Sequence, residues 1–172
     1  MTLKRQHKIL MFLLLSVVFI ALDRYTKGLA KEHLMFNPPH SYFNDTVRLL
    51  YIENTGAFFG MGAGIPQPFN FILLSLLPLI MLTVLFIYVA ARTKEIKKGE
   101  LIAFALIFSG GLGNIIDRIM FESRVTDFLN VGIGSLRTGI FNVADMCVTT
   151  GVIMMLFLSR DRKKAEDIEK EI

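Results

Sequence analysis

Apolar residues along this chain fall into four long blocks separated by polar stretches. Ile9–Leu22 follows Lys4, Arg5 and Lys8; Phe69–Ala91 carries no charge; Leu101–Ile116 ends at Asp117-Arg118; Ile140–Leu158 is interrupted only by Asn142 and Asp145. A helix that crosses a bilayer needs about 20 mostly apolar residues. The second and fourth blocks meet that length. The third meets it with Asp117-Arg118 at the membrane surface, and the first by running on through Asp23 and Lys27 to Ala30. The pattern predicts membrane helices at 9–30, 69–91, 101–121 and 140–158. Leu22-Asp23-Arg24 offers no small-residue cleavage site, so the first block reads as a retained helix rather than a secretory signal. Val47–Glu53, followed by an Asn54-Thr55-Gly56 turn and the apolar run Ala57-Phe58-Phe59, and Val125–Ile133 read as strands. The expected architecture is one integral membrane domain over 1–172: an all-α polytopic membrane protein with four transmembrane helices, an outer loop over 37–68 and a small outer β cradle. Residues 160–172, with charges of both signs, are expected to form a frayed cytoplasmic helix.

Composition sharpens this picture. Hydrophobic residues make up 53% of 172, yet charged residues still reach 20%, so the apolar excess is concentrated in blocks. That excludes a disordered chain, and a single Cys excludes a disulfide scaffold. Twelve of the nineteen Lys and Arg residues lie in the N-terminal tail, the 92–98 segment and the C-terminal tail. The positive-inside bias then places both termini in the cytoplasm. The net charge of +4 reports topology and contact with anionic headgroups, not nucleic acid.

Ionisable residues at membrane ends are functional candidates by default. Asp23, Asp117, Asp127 and Asp145 are all expected near the outer end of the spans. Asn114-x-x-Asp117 and Asn142-x-x-Asp145 repeat one pattern, and an i, i+3 spacing puts amide and carboxylate on one helix face. Asp145 is expected about 8 Å below the outer end of its helix, at 1.5 Å per residue from Ile140. Arg118 either snorkels to headgroups or holds Asp117 ionised. The run Ser109-Gly110-Gly111-Leu112-Gly113 lacks the Lys of a phosphate loop and suits close helix packing. Cys147 reads as a packing residue. Two adjacent carboxylates that share one proton suffice for peptide hydrolysis: one deprotonates water and the other protonates the scissile carbonyl. Spacing alone does not choose which two of the four aspartates pair.

Five ordered motifs carry a resemblance. They are Asp23-Arg24-Tyr25-Thr26-Lys27, Asn54-Thr55-Gly56-Ala57-Phe58-Phe59-Gly60, Gly110 through Arg118, Val125-Thr126-Asp127-Phe128 and Phe141-Asn142-Val143-Ala144-Asp145. Together they resemble the bacterial lipoprotein signal peptidase (signal peptidase II) family across nearly the whole chain. The resemblance implies an aspartic endopeptidase of the bacterial cytoplasmic membrane. Its active site would face outward and would cut prolipoproteins before a diacylglyceryl-modified cysteine. It implies Asp127 and Asp145 as the catalytic pair. Asn54, Asn114, Arg118 and Asn142 would line the substrate site, and Asp23, Lys27 and Asp117 would support it; Gly56 and Ala144 lie within the same motifs. It implies a monomer acting on a lipid-modified substrate among membrane lipids, with no metal, cofactor or nucleic acid. Arg24, Phe58 and Thr126 depart from residues usual in the family. The competing readings are a small transporter, which requires a relay of ionisable groups that the chargeless second block does not supply, and a non-catalytic scaffold held by polar contacts.

Overall fold

The structure, a computed structural model, describes residues 4–57 and 60–171, with side chains described as far as Arg160. Phe58 and Phe59, and with them the Phe58 departure, lie outside the described residues. Helix α1 spans Arg5–Leu34, followed by strands β1 (His40–Tyr42) and β2 (Val47–Asn54). Helix α2 spans Phe69–Arg92, with a π-type turn over Ile72–Leu76. Helix α3 spans Lys98–Met120; strands β3 (Val125–Ile133) and β4 (Leu136–Arg137) lead into α4 (Val143–Glu171). The four helices carry apolar segments of 30, 24, 23 and 18 residues, each long enough to cross a membrane. The protein is a multi-pass membrane protein with a four-stranded antiparallel sheet, in the order β1-β2-β3-β4, at one end of the bundle.

Helix α3 is the centre. In its apolar window 44% of residues are buried, against 17% in each of the others, and it packs on α1, α2 and α4. Lipid is as apolar as leucine, so helices associate through close packing and polar contacts rather than by hiding apolar surface. Small residues permit that closeness. A Cβ on Gly113 would stand 2.9 Å from the Asp23 carboxylate and 3.3 Å from Ala144 Cβ, so this glycine lets α1 and α4 meet α3. Leu13, Val17, Val18, Ile80, Met81, Val84 and Ile87 face outward, as lipid requires. Phe12, Val89, Ile96, Leu101 and Ala105 form the core at the basic end of the bundle. Ala30, Leu34 and Phe128 form a second core under the sheet.

Several boundaries differ from the sequence reading, among them the end of α1 at Leu34 rather than 30 and the start of α3 at Lys98 rather than 101. Helix α1 begins at Arg5 rather than residue 9, because its basic residues have work inside the fold. Lys8 Nζ donates to the carbonyls of Thr93 (3.1 Å), Lys94 (3.3 Å) and Ile96 (2.7 Å), and Arg5 donates to Ala90 (3.2 Å). These include carbonyls left unpaired where α2 ends, the negative pole of that helix. Helix α4 begins at Val143 rather than 140, because Phe141 is drawn into extended pairing with Leu129. It then continues unbroken through Arg160 to Glu171.

Replacing Lys8 with Met keeps the aliphatic stem and removes three charged hydrogen bonds. It is expected to lower unfolding free energy by about 1.5–3 kcal/mol, read by chemical unfolding of the purified protein in detergent. Exposed Lys4→Met is expected to change it by less than about 0.5 kcal/mol.

Candidate active site

Three segments, the end of β2, the start of β3 and the first turn of α4, meet at the sheet end of the bundle. Antiparallel pairing sets Ile52 opposite Asp127 and Asn54 opposite Val125. The first turn of α4 lies beside them. Asn142 caps that helix: its Oδ1 accepts the Asp145 N–H (2.9 Å), and its own N–H donates to Asp145 Oδ2 (3.1 Å). This reciprocal capping box explains the Asn-x-x-Asp pattern at 142–145. Asn142 stands outside the helix, so the two residues do not share a helix face. Asp145 lies in the first turn of α4, not a turn and a half inside.

Amide groups link the two carboxylates. Asp127 Oδ1 accepts from Asn142 Nδ2 (2.6 Å) and Oδ2 from Asn54 Nδ2 (2.9 Å). Asp145 Oδ1 accepts from Asn114 Nδ2 (2.8 Å). Asn142 therefore donates to both aspartates, once from its side chain and once from its backbone. Asn114 Oδ1 accepts from Lys27 Nζ (3.0 Å) and Asn142 Nδ2 (3.2 Å), which leaves its amide nitrogen for Asp145.

Behind these amides lies a cluster of charges. Lys27 Nζ is 2.9 Å from Asp23 and 2.8 Å from Asp117, and with Asn114 its three donors are all used. Arg24 lies 2.5 Å from Asp117 and 3.1 Å from Asp23. Two acids and two bases thus balance in a place where an unpaired charge would be very costly. The cluster also reaches both catalytic candidates through their neighbours. Asp23 accepts the N–H of Ala144 (3.0 Å), and Asp117 that of Thr126 (3.3 Å). Arg118 does not pair with Asp117; its guanidinium donates to the Gly56 carbonyl (2.7 Å). The Gly56 N–H donates to Asn54 Oδ1 (2.8 Å), and a Cβ there would lie 2.6 Å from backbone atoms of Gly60 and Met61.

Asp127 and Asp145 face one cavity of about 280 Å³, with Asn54, Asn114 and Arg118 as further polar walls and Leu74, Pro78, Gly111, Ile115 and Val148 as apolar ones. A second cavity of about 250 Å³, on the sheet side, is lined by Ile52, Thr55 and Ile140; Asn54 and Asp127 line both cavities. Burial pushes the Asp127 carboxyl up to about 6, with Asp145 adding to the rise while the amides of Asn54 and Asn142 and the Lys27 charge oppose it. Paired carboxylates in such a pocket can hold one proton and one water between them.

The family model for signal peptidase (SPase) II matches residues 15–160. The chain belongs to the signal peptidase II family. Lipoprotein signal peptidases of Chlorobium phaeobacteroides, Borrelia hermsii and Francisella tularensis subsp. novicida are 37%, 34% and 38% identical to it. The alignments cover 85%, 82% and 90% of this chain and 93%, 86% and 94% of those proteins. A bacterial membrane enzyme solved by the in meso method at 2.3 Å resolution superposes with a TM-score of 0.78 at 24% identity, over 89% of each chain. Signal peptidase II membership makes this chain a peptidase.

All eleven site residues named from the family's motifs fall in one connected network. Two further residues carry no mark in the sequence reading as site residues. Arg24, noted only as a departure from the family, supplies the second base of the charge cluster. Buried Asn70 donates to the Thr55 carbonyl (2.9 Å) and holds the Asn54 turn against α2. A lone amide opening an otherwise apolar, uncharged block was its available signal.

Replacing Lys27 with Met leaves two buried carboxylates sharing one guanidinium and is expected to cost about 3–5 kcal/mol, measured by unfolding in detergent. Asp127 gives a pH prediction. An acid whose folded pKa is raised binds its proton more tightly folded than unfolded, so it favours the fold at low pH. That contribution is lost as pH rises from about 4 to about 6. The stability difference between wild type and Asp127→Ala is expected to shift against wild type across that window by at most about 3 kcal/mol.

Proposed function

We propose that this chain is an intramembrane aspartic endopeptidase. It removes signal peptides from prolipoproteins by cutting before a cysteine that carries diacylglycerol. The observation that carries this reading is the pair Asp127 and Asp145, bridged by Asn142 and facing one cavity, in a chain of the signal peptidase II family. Its relatives named lipoprotein signal peptidase point to the same substrate.

The chemistry needs one shared proton. The ionised carboxylate takes a proton from water as the water oxygen attacks the scissile carbonyl carbon. The protonated partner gives its proton to the carbonyl oxygen, forming a neutral gem-diol. The C–N bond then breaks as one carboxyl gives a proton to the leaving nitrogen and the other, ionised, takes a proton from a gem-diol hydroxyl, which restores the shared proton. The products are a signal peptide with a new C-terminal carboxyl group and a lipoprotein with a free cysteine amine. Asn54, Asn114 and Asn142 hold the carboxylates facing the cavity, so little reorganisation is required at the moment of reaction. The apolar walls contributed by α2, α3 and α4 suit a signal peptide arriving from lipid. Arg118 fixes the Asn54 turn through Gly56, while Asp23, Lys27 and Asp117 brace the backbone beside each aspartate.

In this reading the chain is a single domain, active as a monomer without cofactor, in the bacterial cytoplasmic membrane. The basic end, with Arg92, Lys94, Lys97 and Lys98, lies in the cytoplasm together with both termini. The sheet and active site lie at the outer face.

Asp127→Asn and Asp145→Asn are each expected to lower cleavage of a diacylglyceryl prolipoprotein in vesicles by at least about a thousandfold, with the helical circular-dichroism signal retained. Normal turnover by either variant would overturn the assignment of that residue.

A further inference from the structure

Helix α2 departs from its regular backbone pairing beside the cavity that the aspartates face. An α-helix joins each N–H to the carbonyl four residues back. Over Ile72–Leu76 the turn is widened to the π type, and the Leu77 N–H bonds the Ile72 carbonyl, five residues back. The next residue, Pro78, has no N–H to give. The Leu74 carbonyl, four residues before Pro78, therefore lacks the donor that an α-helix would supply.

Within hydrocarbon a carbonyl without a donor is costly, and broken turns persist where they line a cavity. Leu74 and Pro78 both belong to the wall of the cavity of about 280 Å³ that holds Asp127 and Asp145. Residues four apart lie one above the other on a helix, and a helical carbonyl points toward the residue four ahead. The Leu74 carbonyl thus lies on the face of α2 that forms the wall. The other walls are Gly111, Asn114 and Ile115 of α3 and Asp145 and Val148 of α4.

The neighbouring acceptors are already occupied. In the turn after β2, the Thr55 carbonyl accepts from Asn70 and the Gly56 carbonyl from Arg118. The Ala57 carbonyl accepts from both the Asn54 amide and the Gly60 N–H. The Oδ1 atoms of Asn54, Asn114 and Asn142 accept from Gly56, Lys27 and Asp145 in turn. Helices α3 and α4 run past the cavity in unbroken α-helical pairing. A peptide entering this cavity needs acceptors, because each N–H that leaves water unpaired is penalised. In an extended segment the N–H and C=O of one residue point to the same side, and those of the next residue to the other. A chain that turns its scissile carbonyl to the aspartates turns the N–H of the preceding residue away from them, toward α2.

We propose that the Leu74 carbonyl is a substrate acceptor, which takes the backbone N–H of the residue second before the lipid-modified cysteine. This bond holds the end of the signal peptide extended across the cavity. Pro78 is the positioning residue, keeping the carbonyl open by having no proton to offer it. The inference rests on the endopeptidase function proposed for Asp127 and Asp145.

Pro78→Ala gives the helix a donor for Leu74. Cleavage is measured for wild type and Pro78→Ala with two synthetic diacylglyceryl lipopeptides, one all-amide and one in which that single N–H is replaced by an ester oxygen. Wild type is expected to lose about tenfold in kcat/KM on the ester, because the carbonyl then faces an oxygen. Pro78→Ala is expected to cleave the all-amide peptide about tenfold less efficiently than wild type and to treat the two peptides alike within about twofold. Equal cleavage of both peptides by wild type would overturn the proposal and leave the peptidase function standing. So would a tenfold preference retained by Pro78→Ala, which reduces the proline to a determinant of helix shape. Failure of wild type to cleave the all-amide peptide removes the proposed endopeptidase function and this inference with it.

Discussion

One ammonium group, that of Lys27, holds the sheet end of the molecule together. It is almost completely buried, and each of its three hydrogens has one acceptor, on Asp23, Asp117 and Asn114. A buried cation is tolerated only when its counter-charges are fixed in place. The pairing therefore dictates how α1 sits against α3. Arg24 completes the charge balance from the same helix, one turn back on a partly exposed flank. The two carboxylates then spend their remaining acceptor capacity on the N–H groups of Ala144 and Thr126. Each of those residues immediately precedes a proposed catalytic aspartate.

Polar order passes outward from that ammonium in a definite sequence. Lys27 settles which end of the Asn114 amide faces it, and Asn114 thereby offers its nitrogen to Asp145. The helix cap settles the Asn142 amide in the same way, so its nitrogen faces Asp127. Orientation of two amides is thus decided by neighbours that cannot turn. A site built like this has its donors in position before substrate arrives, which is where most of the electrostatic advantage of an enzyme lies.

The same end of the bundle solves a second problem, that of carrying polar chemistry at the edge of hydrocarbon. The helices expose apolar side chains to lipid and keep their polar groups turned to α3. At the opposite end, Lys8 stitches the first helix to carbonyls of the turn that follows the second. Basic residues there act both as a topological signal and as a structural cap.

The sequence by itself determined the four spans, because block length and hydropathy respond to the bilayer and hardly at all to neighbours. It determined both main strands through their local pattern, and its ordered motifs named the aspartates and asparagines of the candidate site. Tertiary structure decided what those residues do to one another. Local spacing read Asn142 and Asp145 as one helix face, whereas the pairing of Phe141 with Leu129 pulled the chain out of the helix and made Asn142 a cap. Arg118, beside Asp117 in sequence, reads equally as its partner or as a base snorkelling to headgroups, and consecutive residues on a helix point apart. The partners of Asp117 came from α1, some ninety residues away. Contacts between distant segments leave no mark in local periodicity, and in this membrane protein those contacts are the polar ones on which the site is built.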